Sequence, residues 1–183
     1  SCLQENLSKA LGIVGRAVAT RSTLPITQNI LISTDQGRLK LSATNLEIAV
    51  TTWVGAKIAD EGAITVPARL LTDFVTSLPD GQVDIAMTPK PKGIQLTCGS
   101  FEGQIIGIDA EEFPPIPSVD DGVAVSIASQ NLRRGINQVV FAAATEDSRP
   151  VLTGVNVEME GDRFTLAAAD GFRLAVFKGA LNT

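Results

Sequence analysis

Residues 6–20 read NLSKALGIVGRAVAT and residues 131–145 read NLRRGINQVVFAAAT. The second stretch repeats the first at an offset of 125 residues, with Asn6/Asn131, Leu7/Leu132, Val14/Val139, Ala17/Ala142, Ala19/Ala144 and Thr20/Thr145 identical. Outward from there, without a gap, identity recurs at Ser1/Ser126, Pro25/Pro150, Arg38/Arg163, Leu41/Leu166 and Ala43/Ala168. Where the residues differ, the apolar pattern persists, as in Leu11/Ile136, Ile30/Val155 and Leu39/Phe164. A repeating unit sets the architecture, and one this long is a whole domain, far beyond the roughly 20–50 residues of a solenoid repeat.

The chain therefore reads as one complete unit, 1–118, followed by the opening of a second, 123–183. Half a domain leaves an unfinished sheet edge and half a core, so the chain is expected to be part of a longer polypeptide. Its start, Ser1-Cys2-Leu3-Gln4, is expected to be slightly clipped, because the equivalent Val123–Ala128 reads as a fuller strand.

Composition narrows the function. Histidine is absent, which removes His-based triads, His metal sites and the usual general base near neutral pH. Cys2 and Cys98 have neither the number nor the spacing of a disulfide framework or zinc site. No apolar run is long enough to span a membrane. No cofactor, metal or catalytic constellation is expected. The net charge of −5 speaks against a uniformly cationic nucleic-acid binder, but leaves room for positive charge confined to one surface.

Within the first unit a fainter repetition appears, of element order. Asn6–Ala19 reads as a helix with Leu7, Ala10, Leu11, Val14 and Val18 on one stripe. Strands Ile30–Thr34, Arg38–Ala43 and Ile48–Ile58 follow, the first two joined by the turn Asp35-Gln36-Gly37. The order then recurs: strand Ile64–Val66, a helix opening at Pro67 with Leu70, Leu71, Phe74, Val75 and Leu78 inward, and strands Val83–Met87, Ile94–Cys98 and Glu102–Ile108. Each half is β-α-β-β-β, predicting an α+β fold in which a helix pair lies on antiparallel sheets. Residues 111–122, rich in proline and acid, read as a linker. The second unit opens with the strand Val123–Ala128, followed by a helix over Asn131–Ala144, with Leu132, Ile136, Val139, Val140 and Ala143 inward and Arg133, Arg134 and Asn137 outward. Its strands are expected at Val155–Met159, Arg163–Ala168 and Arg173–Phe177.

The outward helix faces are biased towards cations: Lys9 and Arg16, then Arg69, then Arg133 and Arg134, with Arg21 just after the first helix. Acids gather elsewhere, at Asp60/Glu61, Asp109–Glu112 and Asp120/Asp121. Two readings stay open. Either these are ordinary solvated helices covering a sheet in a structural or protein-interaction module, or the helices touch a polyanion through phosphate contacts that read no sequence.

Several motifs resemble the bacterial DNA polymerase III beta subunit family, the replicative sliding clamps. They are Arg21-Ser22-Thr23-Leu24-Pro25-Ile26, Leu41-Ser42-Ala43-Thr44-Asn45-Leu46-Glu47, Val66-Pro67-Ala68-Arg69, Leu78-Pro79-Asp80-Gly81, Glu112-Phe113-Pro114 and Ala169-Asp170-Gly171-Phe172-Arg173-Leu174-Ala175. The resemblance covers the whole chain and implies a cytoplasmic, non-catalytic processivity factor with three equivalent domains. It implies a DNA-clamp fold, closed head-to-tail as a homodimeric ring around duplex DNA, with helices lining the hole. This chain would hold domain one and about half of domain two, without domain three. The implied DNA-contacting residues are Arg21 first, then Lys9, Arg16, Arg69, Arg133, Arg134 and Arg149. The implied ring joint uses the strand Phe101–Ile108, with Ile105 as its apolar contact. The implied partners are the polymerase III catalytic subunit, the clamp loader and other proteins that insert a short linear motif. Their half-pocket here is Leu152, Ala169, Gly171, Phe172, Arg173 and Leu174, with Ala169 in place of the family's usual threonine and Phe172 where histidine is common.

Overall fold

The stripe at residues 7–14 does form a helix. In the computed structural model α1 (Gln4–Val14) buries Leu7, Ala10, Leu11 and Val14. It ends earlier than expected, in a tight 3-10 turn over Gly15–Ala17, because Gly15 is a poor helix former and Val18 turns extended. The structure describes residues 1–20, 24–117, 122, 124–146 and 148–181. They fall into two compact units, Ser1–Ser118 and Val119–Thr183.

The first unit is α+β, with two antiparallel sheets. One runs in the order β4 (Ala49–Gly55), β3 (Arg38–Thr44), β2 (Asn29–Asp35), β5 (Ala63–Pro67) and β9 (Ile108–Asp109). The other runs β1 (Cys2–Leu3), β6 (Gln82–Pro89), β7 (Lys92–Cys98) and β8 (Phe101–Ile106). The β2–β3 hairpin closes through Gln36 and Gly37, whose positive φ values of 48° and 72° match the right-handed twist of the strands. Helix α2 (Ala68–Ser77) packs beside α1. Buried Gln4 ties the two together by donating from Nε2 to the Val75 carbonyl at 2.8 Å.

Both sheets feed one core, with Ile30, Leu41 and Ile64 from the first and Ile94 and Leu96 from the second, all almost fully buried. At about 25 cal/mol per Å2 of apolar surface, each such side chain stabilises the unit by roughly 1.5–3 kcal/mol.

Several details differ from the sequence reading. Pro67 stays in β5 and caps α2 instead of opening it. Leu70 is 58% exposed rather than core, since Ala68, Leu71 and Val75 form the buried face. The strand expected over 102–108 breaks at Gly107, where the chain passes from the second sheet to the first. The Gly107 amide donates to the Lys92 carbonyl at 2.9 Å, and a Cβ there would sit 2.6 Å from the Thr65 carbonyl. Beyond the break β9 pairs with β5 through Ile64↔Asp109 and Thr65↔Ile108. The Thr65 hydroxyl donates to the Ile108 carbonyl at 3.1 Å and accepts from Asn29 Nδ2 at 3.2 Å.

Ile105 is a further correction. It pairs with Ile94 and lies inside the core at 7% exposure, so it is not an available contact on the β8 edge. The exposed apolar residues of that edge strand are Phe101 and Ile106.

The second unit restates the first. Helix α3 (Ser129–Val139), β11 (Arg163–Ala169) and β12 (Leu174–Ala180) each begin and end 125 residues after α1, β3 and β4. With β10 (Asn156–Glu160) the strands form a sheet in the order β10-β11-β12, and Phe164, Leu166, Ala168 and Val139 make its core. Two expectations fail here. Among the described residues of 123–128 only Ser126 makes a bridge, and no strand forms. Helix α3 turns Gly135 and Val139 inward and leaves Ile136 exposed, as is Val140 in the 3-10 turn that follows it. The cause is close approach: a Cβ on Gly135 would lie 2.7 Å from the Phe177 ring and 2.8 Å from Leu166.

Candidate nucleic-acid and partner surfaces

The cationic helix faces are present but unequal. Lys9 donates to Glu5 one helical turn away at 2.6 Å, with both side chains 68% exposed. That hydrogen bond holds the Glu5 carboxyl below its ordinary range, so much of the Lys9 charge is answered locally. Arg69 is nearly fully exposed and sits 3.6 Å from Asp73. Exposed pairs of this kind contribute little to stability, but they dilute a positive surface. Arg16, Arg133 and Arg134 are exposed and, among the described residues, have no carboxylate within 4.0 Å. Arg21 lies outside the described residues.

A second constellation sits in the second unit, where a turn leads from β11 into β12. Asp170 organises it. One carboxylate oxygen, Oδ1, accepts from the backbone amides of Phe172 and Arg173 at 2.9 and 3.0 Å, and Oδ2 accepts from Arg173 Nε at 2.8 Å. Gly171 takes φ +93°, which the turn needs and L side chains resist. The same turn occurs in the first unit, where Asn45 Oδ1 accepts from the amides of Glu47 and Ile48 and Leu46 sits at φ +76°. Held this way, Phe172 stands 97% exposed and Leu174 69% exposed. The Arg173 guanidinium lies 5.8 Å from the centre of the Phe141 ring.

A cavity of about 210 Å3 opens beside this turn, lined by Leu152, Arg149, Phe172, Arg173 and the 143–146 segment. Of the expected half-pocket, Leu152, Phe172 and Arg173 meet at this cavity, while Ala169, Gly171 and Leu174 lie on the same turn and at the adjoining ends of the two strands it connects. Arg149, expected among the DNA-contacting residues, also forms part of this wall, where a Cβ on Gly171 would lie 3.6 Å from its guanidinium. Glu146 joins the same wall. The sequence reading missed Asp170 as the residue that shapes the site. The Asp-Gly pair was the available signal.

Those amide bonds, led by Phe172, and the Arg173 contact hold the Asp170 carboxyl below its ordinary range. A carboxylate with a lowered folded value contributes stability that is present above its unfolded value and lost as pH falls through the folded one. The Phe172 and Arg173 amide resonances should therefore stay fixed as pH drops through the ordinary aspartate range, and move only below it. A midpoint at the ordinary value in an NMR titration contradicts the assignment.

A larger cavity, about 710 Å3, opens beside the amino terminus and holds none of the expected site residues. It is lined by apolar Ile64, Ile85 and Ile94 together with Asp60, Glu61 and Asp84. Among the described residues no cluster of His, Cys, Asp and Glu is placed to hold a metal ion, and no helix is long and apolar enough to cross a membrane.

Residues 1–117 match the family model described as DNA polymerase III beta subunit, N-terminal domain, and residues 126–183 match that subunit's central domain. The beta sliding clamp of Synechocystis sp. is 37% identical over 182 residues, covering 96% of this chain and 46% of the relative. That of Bacillus subtilis is 29% identical over 187 residues, covering 98% of this chain and 49% of the relative. Among solved structures, the DNA polymerase sliding clamp of Bacillus subtilis superposes with a TM-score of 0.91 at 28% identity, covering all of this chain and 50% of that one. The DNA polymerase III subunit beta of Pseudomonas aeruginosa gives 0.90 at 33% identity, covering 97% and 48%. The chain spans about half the length of the relatives it matches.

Proposed function

The chain belongs to the DNA polymerase III beta subunit family, and on that footing we propose that it is the N-terminal part of a replicative sliding clamp. In this reading residues 1–118 are the first clamp domain, 123–183 open the second, and a third lies outside the chain. The complete protein forms a homodimeric ring in the cytoplasm, encircles duplex DNA without reading its sequence, and tethers the polymerase and other replication proteins. It performs no catalysis of its own. The observation that carries the reading is the ordered pair of domain matches on a chain whose two units repeat at 125 residues.

The helices are its DNA side. Arg16, Arg133 and Arg134 are the strongest candidates among the described residues for meeting phosphate, with Lys9 and Arg69 secondary because each has an acidic neighbour. Arg21 remains a candidate from the family resemblance. At the ring joint, backbone pairing along the β8 edge, flanked by exposed Phe101 and Ile106, replaces Ile105 as the proposed contact.

Topology gives the test. On nicked circular DNA the complete, loaded clamp should survive a salt wash that strips phosphate binders, and should be lost once the circle is cut. A protein held only by surface charge loses affinity steeply with salt on both substrates. Equal salt sensitivity on circular and linear DNA would remove the encirclement reading.

A further inference from the structure

The first sheet has a second face, opposite Leu39, Leu41 and Val54, and four side chains converge on it. Lys40 pairs directly with Trp53, and Asp35 with Arg38. Direct cross-strand partners share a face. The Arg38 guanidinium carbon lies 5.5 Å from the centre of the Trp53 ring, and Lys40 Nζ lies 5.6 Å from it. Asp35 Oδ2 accepts the indole N–H at 2.7 Å and fixes the ring's orientation. Trp53 nonetheless remains 43% exposed.

The charges of this cluster do not balance. Asp35 is engaged by the indole, and among the described residues no carboxylate lies within 4.0 Å of Arg38 or Lys40. On a chain with a net charge of −5, two cations are thus held over an aromatic ring with a single carboxylate, Asp35, beside them, which leaves the cluster net positive. We propose that this face is a docking surface for an extended acidic segment of a partner protein, with carboxylates at alternate positions meeting Arg38 and Lys40. Residues two apart on a strand are about 6.6 Å apart, a spacing that alternate residues of an extended ligand reproduce. Charge-assisted hydrogen bonds from a guanidinium to a carboxylate are among the stronger polar contacts available. A nucleic-acid strand fits less well. The cations occupy the ring surface on which a base would stack.

The site carries its own reporter, because Trp53 is the only tryptophan and the chain has no tyrosine. The probe is a blocked Glu-Val-Glu-Val-Glu peptide titrated into the 183-residue chain while indole emission is followed. A saturable change is expected, weakened about tenfold or more in Arg38→Gln/Lys40→Gln and absent with the Gln-Val-Gln-Val-Gln peptide. Far-UV circular dichroism checks that the double variant folds. No saturable change at millimolar peptide overturns the proposal, as does an equal response to the glutamine peptide. A tighter response to a thymidine oligonucleotide than to the acidic peptide overturns it in favour of nucleic acid. None of these outcomes bears on ring formation, since the probe needs no DNA and no second subunit.

Discussion

Gly93→Ala should lower the thermal midpoint of the first unit by about 4–12 °C, whereas Gly12→Ala should raise it slightly. Gly93 is buried on β7, between Thr88 of β6 and Ile106 of β8. A Cβ there would stand 2.2 Å from the Ile105 carbonyl oxygen and 3.0 Å from the Ile106 Cα. Both are backbone atoms, so no side-chain rotation relieves the clash, and β7 and β8 must separate. Overpacking of this kind costs about 1–3 kcal/mol, and each kcal/mol moves the midpoint of a unit this size by roughly 4 °C. Gly12, on the exposed side of α1, has nothing within 4 Å of its Cβ position. There alanine gains roughly 0.5–1 kcal/mol from helix propensity alone. Calorimetry on the two variants separates sterics from propensity. Matching midpoints for Gly93→Ala and the parent would show that the β7–β8 approach is looser than described.

Phe172→Asp in the complete protein should weaken binding of a hydrophobic linear-motif peptide at least tenfold, about 1.4 kcal/mol. The ring is 97% exposed, so it adds almost nothing to folding, and its backbone is held by Asp170 rather than by its own side chain. A variant here leaves the turn intact and removes only an apolar surface waiting for a partner. A carboxylate in its place would be desolvated against the motif's apolar anchors without a matching cation, apart from Arg173, whose guanidinium is already bound to Asp170. Fluorescence anisotropy with a labelled polymerase-tail peptide is the measurement. Micromolar binding to the complete protein is expected, with much weaker binding to the variant and little or none to residues 1–183, which carry only part of the proposed pocket. Equal binding by all three would place the pocket elsewhere.

The architecture was legible because the repeat is written in identities and because α1 and β3 have clean apolar periods. What the pattern left undetermined has physical causes. Ile105, Ile106 and Ile108 are all apolar, so alternation alone cannot say which faces inward. Pairing of Ile105 with Ile94 across β7 decides it, and that is a tertiary fact. Counting apolar side chains placed Ile136 towards the sheet, but a glycine contributes by having no side chain, and Gly135 lets α3 close on Phe177. The turn at Asp170-Gly171 was visible as an Asp-Gly pair. Its twin at Asn45-Leu46 was not, since no local rule assigns a leucine to φ +76°. Only the 125-residue offset points there. The half-pocket was legible as a stretch of residues, but not the part played in its wall by Arg149, which is twenty-one positions before Asp170.

The crossing at Gly107 has a mechanical consequence. Because β8 belongs to one sheet and β9, immediately after it, to the other, tension applied at the linker reaches the first unit through β9. Its grip is the β5 pairing, reinforced by Thr65 on the Ile108 carbonyl and by the ion pair of Lys92 with Asp109. Since Lys92 lies on β7, the same pull is shared with the second sheet. If, as proposed, the complete protein tethers a moving polymerase, it transmits load, and resistance to forced unfolding is set by the unfolding rate rather than by equilibrium stability. Residues 107–109 thus act as a fastener between the two sheets, placed where pulling force enters.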